Sequence, residues 1–141
     1  LIHDVWSNTI NKKASPITNP YTLKEQYRTS KASSTSLSKS YFNEDFNESI
    51  NVLFSDYLFK ITLNSISTNR SSVNKVMKQL SKVPEGCQNA YEALSSLYDQ
   101  YLGLVNCALN PTGSLVTYTS TFNGYDSGFE NAYEKAKLFF K

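Results

Sequence analysis

The sequence predicts an all-α fold, an up-and-down helical bundle of the four-helix-bundle kind with a short N-terminal helical extension, and three observations predict it. Apolar residues recur at steps of three and four in "NESINVLFSDYLFKITLNSI", at Ile50, Leu53, Phe54, Tyr57, Leu58 and Ile61, which gathers them on one stripe of a helix. They recur in the same way at Cys87, Tyr91, Leu94, Tyr98, Tyr101, Val105 and Ala108, the seam of a bundle helix. The period-two alternation of a half-buried strand is almost absent. A chain of 141 residues is long enough to bury its own core, so residues 1–141 are read as a single helical-bundle domain. Within it, residues 1–40 form an N-terminal extension and Ser-rich connection, and 41–141 hold the bundle helices.

Taken in order, the first ten residues place Ile2, Val5, Trp6 and Ile10 on one side of a short amphipathic helix. "ITNPYT" is turn-like, and "SKASSTSLSKS" offers only Ala32 and Leu37 for burial, which predicts an irregular connection. The stripe that begins at Ile50 resumes in phase at Val73, Val76, Met77 and Leu80, predicting one long helix over 48–82 with a Ser/Asn-rich middle, ended by "KVPEGC". The helix from Cys87 carries Gln88, Asn89, Glu92, Ser95, Ser96 and Asp99 on its opposite face and stops at "NPTG", where Pro111 cannot continue the ladder. A shorter helix through Leu115, Tyr118, Thr119 and Phe122 follows, kept helical although the β-branched residues of "SLVTYTSTF" also suit a strand. "NGYDSG" reads as a turn, and a last helix through Phe129, Ala132, Tyr133, Ala136 and Phe140 runs to the terminus.

Composition narrows the function classes. The net charge is +2, and the fourteen basic residues are dispersed, with Arg only at Arg28 and Arg70, so there is no basic stripe for nucleic acid. Charged residues make up 18% of the chain, against about 25% in an ordinary globular protein, while Ser, Thr and Asn fill 45 positions. That polar, weakly charged surface and the N-glycosylation acceptor patterns at Asn47 and Asn69 lean toward a secreted, extracellular protein. No stretch approaches the ~20 apolar residues of a membrane span, and "LIHDVWSNT" lacks the charged start and apolar run of a signal peptide. The chain therefore reads as mature, with neither membrane nor nucleic acid among its expected partners.

Catalytic chemistry is sparse. His3 is the only histidine, and nothing in the sequence positions a nucleophile or carboxylate beside it. The two cysteines, twenty positions apart, and one remote histidine do not give the spaced pairs that zinc needs, and the five glycines form no phosphate loop, so no metal or cofactor is expected. Glu44, Asp45 and Glu48 precede a helix and suit its positive N-terminal end, and Glu130 and Glu134 with Lys135, Lys137 and Lys141 read as a solvated face. Neither group reads as an acid/base pair for a sugar. The ten tyrosines are the compositional oddity, and Tyr91, Tyr98 and Tyr101 on the seam read as core rings with hydroxyls at the rim.

The stretch "SDYLFKITLNSISTNRSSVNKVMKQLSKVPEGCQNAYEALSSLYDQYL" resembles the central helical hairpin of the plant invertase inhibitor and pectin methylesterase inhibitor family, whose third bundle helix opens with Cys, a polar pair and Tyr, here Cys87, Gln88, Asn89 and Tyr91. "GYDSGFENA" is similar to the family's approach to a Phe, here Gly128 and Phe129, and "LIHDVWSNT" to its opening, with Val5, Ser7, Asn8 and Thr9. Departures accompany the matches. The family's N-terminal disulfide positions correspond to Trp6 and about Ser15, and the partner that the resemblance implies for Cys87 corresponds to Tyr125, which makes Cys87 a stranded half and leaves Cys107 without a counterpart. On one continuous helix the two thiols lie ~30 Å apart, far beyond the ~7 Å Cα separation of a disulfide. Three outcomes stay open: free buried thiols, a bond to another chain, or a helix that breaks before residue 107. The family usually adds a further long helix after Phe129, and its lack here leaves an apolar groove to be filled by residues 1–40, a partner or further polypeptide.

The resemblance implies a non-enzymatic, secreted, apoplastic inhibitor that covers the active-site cleft of an extracellular carbohydrate-active enzyme. The Pro-Lys-Phe motif of invertase inhibitors does not occur, which favours pectin methylesterase over acid invertase as the target. Lys75, Gln79, Glu92, Ser95 and Asp99, on the outer faces of the hairpin, are the expected contacts. Two rival readings are a helical module that forms a homo-oligomer through the groove or through Cys107, and a small-ligand carrier with a cavity lined by Phe54, Tyr91 and Tyr98.

Overall fold

A computed structural model describes residues 2–11, 46–55 and 57–140. The readings of "ITNPYT", the Ser-rich connection, Glu44, Asp45 and Lys141 lie outside these residues. The described residues are all-α: α1 (Ile2–Asn11), α2 (Phe46–Ser55), α3 (Tyr57–Gln79), α4 (Gln88–Leu109) and α5 (Leu115–Lys137), with no strand among them. Of the helix expected over 48–82, α2 and α3 supply the described helical residues through Gln79, and residue 56 lies outside the described residues. Contacts divide the chain into two compact units, Leu1–Leu63 and Asn64–Lys141, with the division inside α3.

In the first unit, α1 packs against α2. The spacing that predicts an amphipathic α1 buries Ile2, Val5 and Trp6, and Leu53 of α2 is buried with no exposed surface, while Ile10 is exposed. Phe54 and Phe59 meet edge to face with ring centroids 5.3 Å apart, joining α2 to the first turn of α3.

The second unit is an up-and-down succession of the remainder of α3, α4 and α5. In the polar middle of α3 the hydroxyls fold back onto the preceding turn, which satisfies them without interrupting the helix: Ser71 donates to the Ser67 carbonyl at 3.0 Å and Ser72 to that of Thr68 at 3.2 Å. The α3–α4 connection turns at Gly86, whose φ of 83° suits a residue without Cβ, and the Cys87 N–H donates to the Pro84 carbonyl at 3.1 Å. Further along, the Tyr98 hydroxyl donates to Asn74 Oδ1 at 2.8 Å and ties α4 to α3.

The α5 helix corrects the sequence reading. Instead of a short helix, a turn at "NGYDSG" and a last helix, one 23-residue helix runs from Leu115 to Lys137. Its start is secured by a reciprocal cap: the Thr117 N–H donates to Ser114 Oγ at 3.2 Å, and the Ser114 N–H donates to Thr117 Oγ1 at 2.8 Å. Two glycines at the α4–α5 contact explain why the helix continues through a turn-prone stretch. The Tyr125 ring of α5 occupies the space that a Cβ at Gly103 of α4 would need, and the Gln100 side chain of α4 occupies the space of a Cβ at Gly128 of α5. Glycine costs a helix about 1 kcal/mol relative to alanine, but here it admits a neighbouring side chain. Tyr118, Ala132 and Ala136 are buried along the same helix, whereas Tyr133 and Phe140, expected on its apolar line, are exposed, Phe140 lying beyond the helix end.

Candidate functional site

The hairpin of α3 and α4 carries the residues that sequence reading singled out for contact with a target. Lys75 and Gln79 are exposed on α3, Glu92 and Asp99 are exposed on α4, and Ser95 is half-buried. Glu92 accepts from Gln88 Nε2 at 3.0 Å within α4. No hydrogen bond or ion pair among the described residues joins the α3 set to the α4 set; what connects the two helices there is the neutral Tyr98–Asn74 bond.

More distinctive is the apolar surface of α3. None of its residues is buried, and Tyr57, Leu58, Ile61 and Val76 are exposed, Tyr57 by 74%. Near its C-terminal end, Leu80, Val83, Pro84, Ala90, Tyr91 and Phe140 line an open apolar cleft of about 260 Å³, with Cys87 among the lining residues. Tyr91 therefore lines a cleft, Tyr98 is spent on Asn74, and Phe54 packs on Phe59, so the three rings named for a ligand cavity serve three different contacts.

Both thiols are free, Cys87 exposed and Cys107 buried. Of the three outcomes left open by the sequence, a break in the helix is overturned: α4 is continuous from Gln88 to Leu109. Cys87 is its N-cap residue, with no side-chain hydrogen bond to the helix, and so is not the buried thiol expected of a free cysteine. Burial pushes the Cys107 thiol up from its ordinary pKa, and Tyr118 is raised by burial and by the neighbouring Cys107.

No family model, curated protein or solved structure matches the chain. Chemistry must therefore be read from the residues themselves. His3 Nδ1 lies 3.3 Å from Asp4 Oδ1, and this hydrogen bond holds the Asp4 carboxyl below the usual range. Both side chains are half exposed, an arrangement of surface groups in the first turn of α1. Glu134 pairs with Lys137 at 3.0 Å on the solvated face of α5, and the Lys137 ammonium lies 5.2 Å from the Tyr133 ring centre. Among the described residues, no group of three or more His, Cys, Asp or Glu could hold a metal ion, and no helix is long and apolar enough to cross a membrane. Of the acceptor asparagines, Asn69 is exposed on α3 and Asn47 lies in α2.

Sequence reasoning missed the second contact face of α4. The apolar seam locates Tyr91, Leu94 and Tyr98 beside α3, but the face toward α5 is written in Gln100, Gly103 and Cys107. Their spacing of three and four is helical, yet two of the three residues are not apolar, so a search for hydrophobic periodicity passes over them. At the α4–α5 turn this face opens into a second cleft, of about 310 Å³, which reaches Asn106, Tyr118 and Tyr125.

Proposed function

We propose that the chain is a non-catalytic protein-binding module, in its specific form an inhibitor of an extracellular carbohydrate-active enzyme, with pectin methylesterase favoured over acid invertase. It acts by lying across the active-site cleft. The observation that carries this reading is the first part of α3, within the first unit, where Tyr57, Leu58 and Ile61 are exposed and no residue is buried. Exposed apolar side chains with polar neighbours are the usual composition of a surface that meets another protein. In the second unit, Lys75, Gln79, Glu92, Ser95 and Asp99 are the expected polar contacts, where charge sets specificity and encounter rate more than affinity. The choice of enzyme class comes from the sequence resemblance of residues 55–102.

The test is an assay of pectin methylesterase and of acid invertase with the purified chain added up to equimolar amounts between about pH 4 and 7. The rate of one enzyme is expected to fall as the ratio approaches one to one, and Leu58→Asp with Ile61→Asp is expected to weaken that inhibition at least about tenfold, the scale of removing an apolar anchor. If neither enzyme slows, the inhibitor reading is wrong. If inhibition persists undiminished in the α3 variant, the contact surface lies elsewhere.

A further inference from the structure

The cleft at the α4–α5 turn is a different kind of surface from α3. No charged side chain lines it. Its walls combine the amides of Asn106 and Asn110, the hydroxyls of Thr112 and Thr121, and the rings of Tyr118 and Tyr125. The turn that shapes it relies on Gly113, which adopts a φ of 92° and brings the chain back toward α5.

Hydrogen-bonding capacity in the cleft is only partly spent. Thr117, which also lines it, is committed to the helix cap, exchanging hydrogen bonds with Ser114. Asn110 Nδ2 donates to Asn106 Oδ1 at 3.2 Å, which leaves the Asn106 amino group and the Asn110 carbonyl oxygen for another partner. The hydroxyls of Thr112 and Thr121 are engaged by none of the described residues. Donors and acceptors thus stand together beside two aromatic rings.

We propose that this cleft binds one neutral polyhydroxylated ring, a monosaccharide or cyclitol. Each hydroxyl of such a ligand both donates and accepts, as the amide and threonine groups here require, and its C–H face suits a tyrosine ring. A volume of about 310 Å³ lies at the small end of the ~300–1,000 Å³ range of ligand sites, which suits a single ring rather than a chain. An anionic analogue would surrender its hydration with no cation in the lining to receive it. Burial favours the neutral forms of Cys107 and Tyr118, both of which line the cleft. This proposal does not depend on the inhibitor reading.

The experiment is saturation-transfer NMR on the full chain with millimolar glucose, xylose and myo-inositol, and with galacturonate as the charged control. At least one neutral ring is expected to receive saturation and galacturonate to receive less. Asn106→Ala and Thr121→Val, both at exposed positions, are each expected to raise the Kd about three- to tenfold, the effect of losing one neutral hydrogen bond. Unchanged helical circular dichroism and melting confirm that each variant folds. Independently, in a Cys87→Ser chain the bound ring is expected to slow alkylation of Cys107, a lining residue of the cleft. Three results overturn the proposal: no transfer to any neutral ring, binding unchanged in both variants, or galacturonate binding as well as its neutral counterparts.

Discussion

Cys87 and Cys107 are chemically opposite despite sharing one helix. Cys87 stands at the N-terminal end of α4 in solvent, whereas Cys107 is 6% exposed beside Tyr118. Burial of Cys107 has a consequence for stability in alkali. Below the thiol's ordinary value of 9.0, the group is protonated in folded and unfolded chains alike and contributes no pH dependence. Above it, the unfolded chain releases the proton while the folded chain retains it, so stability falls until the raised folded pKa is passed. Tyr118 acts in the same direction from its ordinary 10.0. Thermal melts between about pH 8 and 10.5 are therefore expected to decline, and Cys107→Ala is expected to flatten the decline while costing about 1 kcal/mol at neutral pH for the lost apolar volume. An identical slope in the variant would show that Cys107 does not contribute. Nothing in the sequence distinguishes the two cysteines by burial, because a thiol's surroundings are supplied by the neighbouring helix.

At the scale of the element, α5 shows why glycine is ambiguous in a sequence. "NGYDSG" has the composition of a turn, but Gly128 receives Gln100 and Tyr125 fills the space beside Gly103, so small residues at a contact outweigh turn propensity. Two substitutions separate these roles. Gly124→Ala adds a Cβ that meets nothing within 4 Å, and is expected to stabilise the chain by about 0.5–1 kcal/mol through helix propensity. Gly103→Ala gains the same propensity but collides with the Tyr125 ring, and a net loss of about 1–2 kcal/mol is expected from overpacking. Urea unfolding midpoints at constant m-value measure both. Equal stabilisation by the two substitutions would mean that the ring moves away freely. The α3 helix shows the reverse case: its period was legible from Tyr57 onward, and in its Ser-rich middle the hydroxyls of Ser71 and Ser72 bond to carbonyls of the preceding turn within a continuous helix.

For the whole molecule, the exposed Cys87 thiol makes covalent association testable. Mild oxidation is expected to yield a disulfide-linked dimer on non-reducing gels that Cys87→Ser abolishes and Cys107→Ser leaves intact, because only Cys87 is exposed. The rival reading of the sequence allowed a dimer through the apolar groove or through Cys107; a disulfide-linked dimer that survives Cys87→Ser would favour Cys107. The boundary between the two compact units falls inside α3, at residues 63 and 64. A contact boundary within a continuous helix leaves no trace in local composition. By itself the sequence determined the all-α class, the positions of α1, α3 and α4, and the stop at Pro111, because helical periodicity and chain-breaking residues act over one or two turns. Tertiary structure alone decided that α5 is continuous, that Cys107 is enclosed and Cys87 is not, and that uncharged polar groups gather at the α4–α5 turn. Each of those outcomes depends on which side chain of one helix meets a gap in another, and that pairing is long-range.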